Sequence, residues 1–270
     1  MTNNANLQQG EISPTCKTYS IFGLTLASDF PFTYNLSPTQ RSADLSFSCG
    51  LAPPKDAIIA DTPDYTSPYR LKDDRVACYL FRGDGCDVYR FTGEADYYVW
   101  ANRIYCHLLD PAFQSVIQIR LFGPVLAYWL ERNGFPALHA AAVQIKERTV
   151  AFLGTNGQGK STLVASMLAS GIPLLTDDIL PVHNKAGVFL GSPGYPQMRM
   201  RLDQVTYFVG EDKSFDLVHP DYDKYRIPIG NGFGMFCNEA LPLRGFYIPE
   251  RYDADAGQAP EVTIDALAPG

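Results

Sequence analysis

One stretch constrains the fold of this chain more than any other: a short apolar run, a glycine turn and a one-sided apolar segment between Thr149 and Gly171. The turn is Gly154-Thr155-Asn156-Gly157-Gln158-Gly159-Lys160-Ser161-Thr162, which fits the spacing G-x-x-x-x-G-K-[ST]. Glycines at these positions let the backbone curl until its N–H groups point inward at phosphate oxygens. Lys160 then reaches the outer phosphates as a point charge, and the Ser161 hydroxyl serves as a Mg²⁺ ligand. Thr149 to Leu153 reads as a buried strand. Leu163, Val164, Met167 and Leu168 share one face of a helix that stops at Gly171. Strand, loop and helix together predict a nucleotide phosphate site; the alternative is a loop that keeps the shape and binds nothing.

The 270 residues suffice for one large domain or two modest ones. Net charge is −7 with no basic run, which argues against nucleic acid as a partner. The six cysteines form no C-x-x-C pair and lack zinc-ligand spacing, as expected of reduced thiols in a cytoplasmic protein. No signal-like segment opens the chain, and apolar runs such as Val125 to Leu130 are too short for a bilayer. No membrane role is expected.

Residues 1–15 read as disordered. From Tyr19 to about Leu109 the pattern is strand-like, with turn signals at Gly83-Asp84-Gly85 and Gly93-Glu94. An antiparallel sheet of hairpins is expected, with Pro53-Pro54 and Thr62 to Pro68 as loops. Asp110-Pro111 opens a helical stretch with Ile119, Phe122, Leu126 and Trp129 on one face. Gly123-Pro124 must kink or interrupt it. The remainder reads as α/β. The predicted organisation is a β-rich N-terminal domain over 1–110, which would help bind a peptide, and a catalytic domain over 111–270.

Asp177-Asp178 follows apolar Leu174-Leu175 at the end of a predicted strand, where α/β folds place ligands. Adjacent carboxylates on a strand point to opposite faces, but a turn at the strand end can bring both to one site. Phosphoryl transfer needs such groups, to hold metal and to take a proton from the acceptor hydroxyl. A turn-forming acidic pair is the plainer reading. His139, set among alanines, could share a proton with them; a core histidine fits equally well. His183-Asn184-Lys185-Ala186-Gly187 is superficially similar to the guanine-reading N-K-x-D, but Gly187 breaks it. The H-R-D and D-F-G signatures of protein kinases are absent.

Leu138-His139, the loop Gly154 to Ser161, and Asp177-Asp178 resemble, in order and spacing, the HPr kinase/phosphorylase family, whose fold is akin to ATP-type phosphoenolpyruvate carboxykinases. The resemblance is closer to the HPr-kinase-like proteins of lasso peptide biosynthesis. It covers Phe22 to Pro31, Ala43 to Phe47 and Ser192 to Met200. It implies a P-loop kinase core behind a β-rich N-terminal domain, with ATP and Mg²⁺. The implied activity is phosphorylation of a serine, commonly the C-terminal one, of a precursor peptide. HPr, a small molecule, or non-catalytic nucleotide sensing are the alternatives. By the same match His139, Lys160, Asp177 and Asp178 are catalytic, with Asp178 the favoured proton acceptor, and Ser161 and Asp177 face the metal.

The family's E-I-R-G-like metal glutamate has no counterpart: Pro196 to Asp203 holds only Asp203 as an acid. The phosphorolysis segments are not recognisable, so kinase activity alone is expected. Arg199, Arg201, Arg226 and Arg244 are candidates for clamping phosphate or a peptide carboxylate. The family includes hexamers, and oligomeric state stays open. Similar proteins continue into a helical tail, so the resemblance implies a shortened C-terminus.

Overall fold

A computed structural model describes residues 16–155, 157–211, 215–218, 223–250 and 263–267. Asn156 and the segment 1–15, expected to be disordered, lie outside the described residues. The chain is mixed α/β and rich in strands. Its first sheet contains β1 (Lys17–Ile21), β2 (Leu24–Ser28), β3 (Ser37–Pro38), β4 (Leu45–Gly50), β5 (Tyr65–Thr66), β6 (Cys78–Phe81), β7 (Asp87–Phe91), β8 (Ala95–Val99) and β9 (Arg103–Leu108). The spatial order is β3-β1-β2-β4-β9-β8-β7-β6-β5. Phe22 and Gly23, with φ of 55° and 80°, make the tight turn between β1 and β2.

Two expectations need correction. The sheet is mixed, because β4 pairs in parallel with β2 on one side and β9 on the other. Alternating apolar and polar residues mark a half-buried strand of either direction, so Asp44 to Cys49 could not reveal its orientation. Parallel neighbours need long connections, and the hairpins β6 to β8 lie within the one joining β4 to β9. Within Thr62 to Pro68, read as loop, Tyr65 and Thr66 pair with β6 as an edge strand. Two residues carry too little pattern to announce one.

The segment after Asp110 packs on this sheet. The Asp110 side chain accepts from Ala112 N at 2.9 Å and opens a short 3₁₀ turn, Pro111–Val116. Two helices follow, α1 (Ile117–Arg120) and α2 (Leu126–Arg132). The backbone between them breaks at Gly123, φ −110° and ψ −113°, just before Pro124. Ile119, Phe122, Leu126 and Trp129 are all buried against the first sheet. Tyr97, fully buried in β8, donates its hydroxyl to Ile117 O at 2.8 Å.

The second sheet holds β10 (Ala137–Ile145), β11 (Arg148–Leu153), β12 (Leu174–Thr176), β13 (Ile179–Lys185), β14 (Val188–Gly191) and β17 (Leu241–Tyr247), in the order β11-β17-β14-β13-β10-β12. Because β11 also pairs with β10, five of these strands close into a ring. The helix α3 (Lys160–Ala169) packs against β10. A two-stranded ribbon, β15 (Gln197–Met200) with β16 (Tyr225–Pro228), joins the same core, and α4 (Leu202–Phe208) lies beside α3. No helix among the described residues is long and apolar enough to cross a membrane.

Candidate active site

The glycine loop leaves β11 at Leu153 and enters α3 at Lys160. Its glycines adopt conformations that side chains resist: Gly154 has φ 138° and Gly159, capping α3, has φ 90°. A Cβ at Gly154 would collide with Gln158 Oε1. That same oxygen accepts from Thr155 N at 2.6 Å, so the loop is braced by its own side chain. Lys160 is buried, and its Nζ donates to Gly154 O at 2.6 Å and Thr155 O at 3.1 Å. Burial holds the Lys160 pKa below its ordinary value, partly offset by Asp178 and Asp177. At the loop's end Thr162 Oγ1 accepts from Gln204 Nε2 at 2.5 Å, tying α3 to α4.

Asp177 and Asp178 occupy the break between β12 and β13, which share one edge of β10. His139 pairs with Ile179 and Ala142 with Thr176, so the two acids splay out opposite Ala140 and Ala141. Thr176 Oγ1 donates to Ile179 O at 2.6 Å and ties both ends of the break together. Asp178 takes φ 80°, an uncommon conformation for a non-glycine residue. Strain of this kind persists where the surroundings over-determine it. Here Arg199 does so twice: its backbone N donates to Asp177 Oδ2 at 2.9 Å and its Nη1 to Asp178 Oδ2 at 2.6 Å.

Burial, reinforced by the neighbouring Asp178 charge, pushes the Asp177 pKa up to about 6. His139 Nδ1 lies 3.1 Å from Asp178 O and 3.5 Å from Asp178 Oδ1. With 52% of its side chain exposed, His139 is not a core histidine.

The loop and the acids stand at the same end of the ring. Leu153, the last residue of β11, pairs with Ala140, while the acids break from the opposite edge of β10. Two strand spacings separate them, about 10 Å. Lys160 lies near enough to both carboxylates for their charges to raise its pKa against burial.

Of the four arginine candidates, Arg199 lies in this site and Arg226 faces it across the ribbon. Arg201 sits at the start of α4, 3.6 Å from Asp203 and 3.2 Å from Asp223. Arg244 is exposed on β17, beside the first residues of β11 and roughly 15 Å along the strand from the loop. Among the described residues, Ser161 lies in the first turn of α3, and no three His, Cys, Asp or Glu side chains converge as a metal cluster.

An open groove of about 840 Å³ runs along α3 and α4 between Thr162, Ser166, Asp203, Gln204 and Tyr207, on the flank of the loop, and neither Asp177 nor Asp178 lines it. Tyr34 and Thr176 gave no signal in the sequence, because they come from a loop and a short strand without periodicity, and Gln197 entered only as part of the Ser192 to Met200 resemblance.

No protein-family model matches the chain, and no curated protein matches it. Among solved structures the chain is similar to the HPr(Ser) kinase/phosphatase from Coxiella burnetii, at 19% identity and a TM-score of 0.23. The similarity covers 34% of this chain and 55% of that one, so the chain spans about half the length of that neighbour. At that level the neighbour fixes neither fold nor chemistry.

Proposed function

We propose that this chain is a Mg²⁺- and ATP-dependent kinase that phosphorylates a serine hydroxyl of a peptide, such as a lasso peptide precursor at its C-terminal serine. The observation that carries the reading is the common placement of the Lys160 loop and the Asp177–Asp178 pair on the two edges of β10. A loop alone fits any nucleotide protein. The acids beside it supply what phosphoryl transfer further requires, a metal ligand and a proton acceptor.

Each residue has a role that follows from its surroundings. The amide groups of Gly157 to Lys160 and the Lys160 ammonium would hold the triphosphate; Lys160 gives up its bonds to Gly154 O and Thr155 O to do so. Ser161 and Asp177 would hold the Mg²⁺. Their fit is supported by the donor set, a hydroxyl and a carboxylate oxygen, and by the Asp177 pKa, raised first by burial and then by the Asp178 charge, which a cation would offset. When bound, the metal neutralises charge on the phosphates. Asp178, oriented by Arg199 and next to His139, would take the proton from the acceptor hydroxyl. Residues 1–110 would form a peptide-binding domain and 111–270 the catalytic domain.

Incubation of the protein with Mg·ATP and candidate precursor peptides, read by mass spectrometry, tests this. A peptide gaining one phosphoryl group is expected. Asp178→Asn should retain nucleotide binding and lose transfer. ATP hydrolysis with no modified peptide, or unchanged behaviour of Asp178→Asn, would defeat the reading.

A further inference from the structure

The ribbon of β15 and β16 sets Arg199 directly opposite Arg226. Like charges in that position repel and destabilise a strand pair, so the arrangement calls for a compensating anion. Asp178 compensates Arg199 at 2.6 Å. Among the described residues, the acidic partner of Arg226 is Asp216, at 3.0 Å, whose carboxylate is 82% exposed and well screened. Arg226 also donates to Thr33 Oγ1 at 2.9 Å, and its guanidinium lies 5.4 Å from the centre of the Tyr34 ring.

Among the described residues, the buried Arg226 Nε and Gln197 Nε2 make no hydrogen bond, and Tyr34 Oη, which is drawn to Arg199, finds no acceptor for its own proton. Tyr34 and Gln197 are only 5% and 6% exposed. Gln197 alternates with Arg199 along β15 and so shares its face of the ribbon. Such orphans are rare in folded proteins, because each costs its full desolvation. All three can donate, and none of the three is matched by an acceptor. Burial holds the Tyr34 pKa above its ordinary value, while Arg199, by its charge and by a hydrogen bond, and Arg226 pull it down and Asp178 pushes it up.

We propose that Arg199, Arg226, Tyr34 and Gln197 form a subsite for an oxyanion, a carboxylate or a phosphoryl group, carried by the acceptor molecule. An oxyanion is the ligand that accepts from several donors at once. The subsite lies on the Arg199 side of Asp178, whose Oδ2 accepts from Arg199 Nη1 at 2.6 Å, whereas the glycine loop leaves β11 on the other edge of β10, about two strand spacings away. The anion is therefore separate from the triphosphate. Its assignment to the acceptor rests on the kinase reading above; its existence does not. The subsite would place the acceptor's hydroxyl beside Asp178 by gripping a charged group on the same molecule.

The test is calorimetric titration of the full chain with inorganic phosphate, without Mg²⁺ and at constant ionic strength, followed by acetate. Wild type should bind phosphate at two sites, the loop and the subsite. Lys160→Ala should lose the first alone. Tyr34→Phe should weaken the second about tenfold, since a hydrogen bond to a charged group is lost, while its ligand-free melting temperature holds or rises because a buried orphan hydroxyl has gone. Arg226→Gln should abolish the second site; if it fails to fold, Tyr34→Phe carries the test. Acetate binding that disappears in Tyr34→Phe identifies a carboxylate; phosphate without acetate at the subsite identifies a phosphoryl group. A single phosphate site, lost in Lys160→Ala and untouched by Tyr34→Phe and Arg226→Gln, overturns the subsite and leaves the loop reading intact. Loss in the latter two with Lys160→Ala unchanged does the reverse.

Discussion

Asp177→Asn should make the ligand-free protein more stable while destroying its proposed activity. The Asp177 carboxyl is pushed from 3.8 to about 6 by burial and by the Asp178 charge. A shift of about 2 units corresponds to about 3 kcal/mol of difference between the protonation states. Solvent reaches the partly buried carboxylate, so about 1–2 kcal/mol should appear in measured stability. Because the folded-state pKa is the higher one, the native protein binds the extra proton. Stability is therefore full below about pH 4 and falls as pH rises through about 6. Asparagine removes the charge and keeps an oxygen to accept from Arg199 N, the 2.9 Å bond that holds this side chain. Urea unfolding should show the variant about 1–2 kcal/mol more stable than wild type at pH 7, with the gain shrinking towards zero at pH 4. Saturating Mg²⁺ and nucleotide should stabilise wild type more than the variant. An equal gain at both pH values, or a less stable variant at pH 7, would refute the electrostatic account.

Lys160→Ala should abolish nucleotide-dependent stabilisation in thermal shift assays while leaving the apo fold in place, since among the described residues its ammonium hydrogen-bonds to the loop carbonyls of Gly154 and Thr155. Gly159→Ala should cost about 1–2 kcal/mol in unfolding experiments, because φ 90° at the cap of α3 is strained for any residue with a Cβ. It should also weaken nucleotide binding by displacing the start of the helix, measurable by calorimetry. Tyr97→Phe should cost about 1–2 kcal/mol, leaving Ile117 O without its buried donor and loosening α1 from the first sheet.

The sequence was most readable where local chemistry dictates conformation. Gly154, Gly157 and Gly159 all take positive φ, and the apolar stripe of Val164 and Leu168 is buried on α3. The Asp110 cap and the Gly123 break also stand where their residue types put them. Less was visible where structure depends on distant partners. Nothing in Leu45 to Gly50 encodes whether its neighbours run parallel, and nothing in β10 announces that β11 will close a ring around it. The same limit applies at the site. Asp177-Asp178 stood out as a pair, but the meeting of Arg199 with Arg226 depends on a strand register, and Tyr34 comes from a loop far away in the chain. Thr176 serves by bracing a break in the strand, a task that many threonines could perform without leaving a pattern.

The alanine strand β10 acts as a ruler. With Leu153 pinned to one side of Ala140 and the splayed acids on the other, a single backbone sets the gap between phosphate grip and carboxylates. Ala140, Ala141 and Ala142 are buried in the core on both faces of β10, where a larger residue would have to displace its neighbours. A bulge in β10 would alter that gap at once.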